Sequence, residues 1–264
     1  LPGGAARPRA QSRGAEARYR RRRPSVRNPG TLIVGRALRR LVSNPAPLLS
    51  GLGMSAFFLF VYDAAIGGIG FLPEFGGAGY MAFLLPMGVI SLLFGSSAGS
   101  AQALSRDIGS GYFMRLALAP VPRSAFVLAA ILADAAGIFV SSLIVLGLGA
   151  LLGAPLLGGA VGVFGTAALA TLFGAGISAA SAAAVMRTGK VELAGTIGSA
   201  VFMLLFLAPT FVPRELMGAR WLQVVSAWNP LSYLMEAMRV MVSGLGEPSS
   251  VPIAFAVAAV AGLG

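Results

Sequence analysis

The sequence predicts an all-α, polytopic integral membrane protein. No charge falls between Glu74 and Arg106, and none between Asp134 and Arg187. Uncharged runs of that length belong in lipid or in an exceptionally large core. Apolar residues make up 56% of the chain against 11% charged, with a mean hydropathy of +0.82, well outside the soluble average. The net charge of +11 is also unevenly placed. Residues 1–46 carry 12 Arg and one acid, and the remainder carries eight basic and eight acidic residues. No basic and aromatic residues interleave across the body of the chain, so no nucleic-acid partner is expected.

With no Cys and no His, thiolate and imidazole metal sites, disulfides, and Ser-His-Asp or Cys-His nucleophiles are excluded. No catalytic residue and no metal site is expected. Residues 1–30, which include Arg20-Arg21-Arg22-Arg23, hold too few apolar groups to offset ordering entropy and are expected to be disordered. This tail reads either as a solvated basic segment that helps fix orientation or as one drawn to anionic headgroups.

From Thr31 to Asn44, Ile33, Val34, Ala37, Leu38, Leu41 and Val42 recur at helical spacing while Arg36, Arg39 and Arg40 share another face. That pattern suits a helix in the membrane interface, or else the start of a long first span. A crossing takes about 20 helical residues. The candidates are Pro47–Ile66, Tyr80–Leu104, Ala125–Leu152, Gly158–Met186 and Leu193–Val212, with a shorter run at Val251–Gly264. Because that last run is still apolar at Gly264 and the chain opens on Leu1, the sequence is expected to continue and complete a sixth span.

Orientation follows from basic residues in short loops. The first loop carries Asp63 and Glu74 and no basic residue. The second carries Arg106, Arg115 and Arg123, and the fourth carries Arg187 and Lys190. The N-terminus and even-numbered loops are therefore expected in the cytoplasm. Gly95 with Gly99, and Gly174 with Ser178 and Ala182, are small-residue surfaces suited to helix packing.

Asp134 is the one carboxylate well inside a predicted span, and an acid there must be solvated or paired. It reads as part of a polar path or proton-coupling site, or as a residue near the inner interface bonded to its neighbours. Between Leu104 and Arg123 a polar island with Leu116, Leu118 and Arg115 reads as a short cytoplasmic helix ended by Pro120 and Pro122. The segment 214–247 holds Trp221, Trp228 and Tyr233, which favour interfaces, and is broken by prolines. It reads as short helices or as an ordinary external loop.

The order Asp107, Gly109, Leu116, Pro120, Arg123, then Leu132-Ala133-Asp134, resembles the type 2 permeases of ATP-binding-cassette exporters, most nearly the bacterial daunorubicin-resistance drug-efflux group. So do Phe211-Val212-Pro213, Asn229-Pro230-Leu231-Ser232-Tyr233 and Glu236-Ala237-Met238-Arg239. The likeness covers residues 31–264. Ala129-Ala130 and Ser110-Gly111-Tyr112 depart from the usual pattern.

The resemblance implies a six-helix permease domain in the plasma membrane, driven by cytoplasmic ATPase subunits and paired with a second permease subunit. It implies that Arg106, Asp107, Gly109, Arg115, Pro120 and Arg123 belong to a coupling helix on the ATPase, with Thr31–Asn44 at the same junction. It further implies that residues 214–247, with Asn229, Pro230, Tyr233 and Arg239, dip into the outer membrane face. Phe202, Met203 and Phe206 are candidates for lining the path, or else face lipid and neighbouring helices.

The chain has no phosphate-binding loop, since Gly189-Lys190 is followed by Val191. It is therefore expected to bind no cofactor, with ATP and Mg on the partner. The expected activity is export of hydrophobic or amphiphilic, drug-like compounds by alternating access, with membrane lipid around the helices. Lipid-linked polysaccharide or glycolipid is the alternative cargo. Proton-coupled secondary transport through Asp134 is the rival mechanism.

Overall fold

The computed structural model describes residues 46–70, 72, 79–93, 123–190, 192–244 and 246–263. Among these residues all regular structure is helical. The helices are α1 (Ala46–Ile66), α2 (Tyr80–Leu93), α3 (Arg123–Leu151), α4 (Gly159–Thr188), α5 (Glu192–Phe206), α6 (Arg220–Trp228), α7 (Pro230–Ser243) and α8 (Ser250–Leu263). Short 3-10 turns occupy Gly67–Ile69 and Arg214–Leu216. The basic tail, the Thr31–Asn44 helix, Gly95, Gly99 and the island from Ser105 to Pro122 lie outside the described residues.

Among the described residues, three helices are long and apolar enough to cross a bilayer, over Leu49–Ile66, Ile131–Leu151 and Gly159–Thr188. Shorter apolar helices lie at Tyr80–Leu93, Glu192–Phe206 and Ser250–Ala261. The ends of α3 and α4 fall within two residues of the sequence expectation, because charge and glycine punctuate them. Gly189 closes α4 in the left-handed conformation, at φ 70°, and its N–H bonds Val185 O at 2.8 Å.

The end of the second predicted span, residues 94–104, lies outside the described residues, and the fifth predicted span differs from expectation. It was expected to run to Val212, and α5 stops at Phe206. Pro209 is the physical reason, since it offers no N–H and its ring collides with the carbonyl four residues earlier.

Every residue of α2 is buried. Its sequence, apolar on all sides, is what a central helix requires. Around it pack Phe58 and Leu59 of α1, Ile138, Val145 and Leu146 of α3, and Leu169, Phe173 and Ile177 of α4. Leu231, Leu234, Met235 and Met238 of α7 complete the same core. The small surface on α4 sits at a close contact with both α2 and α3. A Cβ on Gly174 would lie 2.5 Å from Ile138 Cδ1 and 2.7 Å from Leu93 Cδ2, so the glycine lets α2 and α3 approach α4 without displacing those two side chains.

Three hydroxyl groups enter this apolar interior by bonding their own helix. Ser142 Oγ donates to Ile138 O at 2.7 Å, Thr171 Oγ1 to Ala167 O at 2.7 Å, and Ser91 Oγ to Gly88 O at 2.8 Å.

Candidate functional site

The break after α5 organises the surrounding polar chemistry. At 1.5 Å per residue the helix reaches about 22 Å, short of a hydrocarbon core of about 30 Å. Leu207 N and Ala208 N close its last turn onto Leu204 O and Leu205 O at 3.2 and 3.4 Å. The chain then runs without regular structure to the turn at Arg214–Leu216. Carbonyls freed at such a break cannot be left bare in an apolar medium.

Within this stretch the carbonyls of Leu204, Leu205, Pro209, Thr210 and Phe211 are met by side-chain donors. Asn229 Nδ2 donates to Leu204 O at 2.6 Å, and Thr210 Oγ1 donates to Leu205 O. Arg239 Nη2 donates to Pro209 O at 2.6 Å, with a longer 3.5 Å contact to Thr210 O. The hydroxyl of Tyr80, at the start of α2, donates to Phe211 O at 3.2 Å.

Two of these donors, Asn229 and Arg239, are positioned by α7. Asn229 is its N-cap, with Oδ1 accepting from Leu231 N at 3.0 Å, and Pro230 occupies the first turn, where its missing N–H costs nothing. One buried side chain thus starts α7 and fastens it to α5. Tyr233, one turn on, donates to Ala227 O at 2.8 Å and holds the end of α6. Glu236 of α7 pairs with Arg214 of the 3-10 turn after the break at 3.0 Å, with both side chains about one-third exposed.

Arg239 is buried at 5% exposure. Its Nε donates to Phe83 O of α2 at 3.1 Å, and its guanidinium carbon lies 3.6 Å from the centre of the Phe83 ring. Among the described residues, no hydrogen bond or ion pair joins it to a carboxylate. Carbonyl dipoles and an aromatic face surround the cation.

The far end of α7 is held equally closely. Gly158 N donates to Val242 O at 3.0 Å. A Cβ on Gly158 or Gly162 would collide with Met241 O, so the start of α4 is fitted to the α7 backbone.

The sequence-predicted residues fall out as follows. Asn229, Pro230 and Arg239 lie at the break after α5, and Tyr233 joins α7 to the end of α6. Phe202 and Phe206 belong to a closed circuit of rings with Phe58, Tyr62 and Phe211, neighbouring centroids lying 4.3–6.2 Å apart. That circuit joins α1, α5 and the segment after the break. Met203 projects outward at 68% exposure, on the side of α5 away from the core. Asp134 is half-buried on α3.

Arg106, Asp107, Gly109, Arg115 and Pro120 lie outside the described residues, and Arg123 is the first residue of α3. Sequence reasoning missed Tyr80, Phe83 and Thr210. The signal that could have found the break was Pro209 inside a predicted span.

In α6, Trp221, Val224, Val225 and Trp228 are exposed together, at a spacing that places them on one face. Two tryptophans on one such face fit an apolar boundary.

Over residues 31–242 the sequence matches the family described as ABC-2 type transporter. It is similar to the "Daunorubicin resistance ABC transporter permease protein DrrB1" of Streptomyces coeruleorubidus, with 28% identity over 210 residues covering 79% of this chain and 73% of that one. It is also similar to the "Probable doxorubicin resistance ABC transporter permease protein DrrC" of Mycobacterium tuberculosis, with 23% identity over 230 residues covering 84% and 82%. No solved structure matches the chain.

Proposed function

Because this chain belongs to the ABC-2 type transporter family, we propose that it is the membrane-spanning permease subunit of an ATP-driven exporter. Its cargo is hydrophobic or amphiphilic, drug-like molecules leaving across the plasma membrane. The observation that carries the reading is the family match over residues 31–242 of a chain rich in apolar helices and without a phosphate-binding loop. ATP hydrolysis falls to separate cytoplasmic subunits, and a second permease copy or partner completes the path. The names of both relatives, each tied to resistance against an anthracycline, support flat amphiphilic cargo.

In this reading the N-terminus and the Arg106–Arg123 segment face the cytoplasm, and that segment receives the ATPase stroke. The outer end is closed by α6 and α7. α7 takes up where α5 stops, so the two together occupy the thickness that α5 alone cannot. Outward opening is a movement of this hairpin relative to α5 and the ring circuit beneath it.

Purification of the permease from its native membranes in mild detergent tests the proposal. An ATP-hydrolysing subunit should accompany it, and Asp107→Ala or Gly109→Ala should reduce cargo-stimulated hydrolysis. Absence of any nucleotide-hydrolysing partner, together with uptake that follows an imposed proton gradient and fails in Asp134→Asn, would favour secondary transport instead. Stimulation by glycolipid and not by anthracyclines would move the cargo to the polysaccharide branch.

A further inference from the structure

We infer that Arg239 is a positioning residue that ties α2 to the outer hairpin, so that motion entering α2 reaches α7 directly. The inference rests on the exporter reading and assigns a route of coupling within it. Three elements meet at this one guanidinium: the first turn of α2 through Phe83 O and the Phe83 ring, the broken chain after α5 through Pro209 O, and α7 itself. Tyr80, one turn from Phe83, adds a second bond from α2 to the broken chain at Phe211 O.

The remaining geometry fits a strut. α2 is buried on all sides, so it moves as a packed unit. Its other end leads in sequence, through residues 94–104, into the Arg106–Arg123 island. The choice of side chain points the same way. A methionine or leucine would fill the space without the expense of burying a cation. Arginine alone offers a flat face to stack on Phe83 and a fork of donors directed at two different backbones.

The test uses the reconstituted complex of permease and ATPase. The chain contains no cysteine, so a single cysteine at Gly218, which has open space around its Cα, can carry an environment-sensitive fluorophore that reports on the outer segment. Trapping with ATP and vanadate should shift the signal in the otherwise native permease. Arg239→Met should leave ATP hydrolysis within about two-fold and reduce the shift at least about five-fold. Arg239→Lys should recover part of it, since an ammonium is a point donor and does not stack as a plane.

An unchanged shift in Arg239→Met overturns the inference, and so does a loss of hydrolysis and shift in equal proportion. If that variant does not assemble, Phe83→Leu decides. It keeps every hydrogen bond and removes only the aromatic face, and it should weaken the shift, whereas a full shift refutes the tie. Failure of the underlying exporter reading looks different: the native permease would then show no associated hydrolysis, or hydrolysis with no shift.

Discussion

Replacing Asn229 separates its two bonds, because Ala, Asp and Ser remove different parts of the side chain. In Asn229→Ala both the cap to Leu231 N and the bond to Leu204 O are lost. Loss of an N-cap is worth about 1 kcal/mol, and the second bond adds about 1 kcal/mol. The second figure stays modest because Leu204 O retains its bond from Leu207 N at 3.2 Å. The total of about 2 kcal/mol corresponds to a fall of roughly 4–8 °C in melting temperature for a domain of this size.

Asn229→Asp is the decisive member. Aspartate caps helices as well as asparagine does, so if capping were the whole role the variant would match the native protein. Here the Nδ2 position faces Leu204 O at 2.6 Å, and aspartate would place an acceptor against an acceptor. It should therefore melt at or below the alanine variant, with serine between alanine and asparagine. Thermal unfolding in detergent, followed by fluorescence-detected size exclusion, reads the order directly. An aspartate variant as stable as the native protein would refute the argument that Asn229 fastens α7 to α5.

Other expectations follow from the same structure. Gly162→Ala should prevent normal assembly, since its Cβ would meet the backbone at Met241 O, whereas Gly147→Ala, with open space at its Cα, should be tolerated or gain about 0.5–1 kcal/mol of helix stability; expression and melting temperature of the pair check this. Breaking the Arg214–Glu236 pair by Glu236→Gln should cost no more than about 1 kcal/mol, because both partners are partly exposed and screened. Asp134→Asn should preserve ATP-driven export and leave it indifferent to an imposed proton gradient, as measured by vesicle uptake with and without an ionophore.

Much of the architecture was legible in the sequence. Charge-free length marked α1, α3 and α4, and Gly189 marked where α4 ends. Asn229-Pro230 carries a local signal for the start of α7, an asparagine cap followed by proline, which from sequence was read only as a family motif and a chain break. The break after Phe206 was overlooked because counting apolar residues treats Pro209 as one more uncharged position. The partners of Arg239 could not be read at all. Phe83 O lies 156 residues away and Pro209 O lies 30 away, and backbone carbonyls leave no mark on the side-chain sequence. The ring circuit was half visible: Phe202 and Phe206 stand a helical turn apart, while Phe58, Tyr62 and Phe211 join them only through packing.

The central claim is that another subunit's ATP hydrolysis moves cargo through this chain. It is tested most directly in sealed proteoliposomes containing permease and ATPase, by following daunorubicin uptake into the lumen from the ATP-accessible side. Export coupled to hydrolysis predicts accumulation that requires ATP, stops with vanadate and persists when the proton gradient is collapsed. Accumulation that proceeds without ATP and vanishes with the gradient would contradict it.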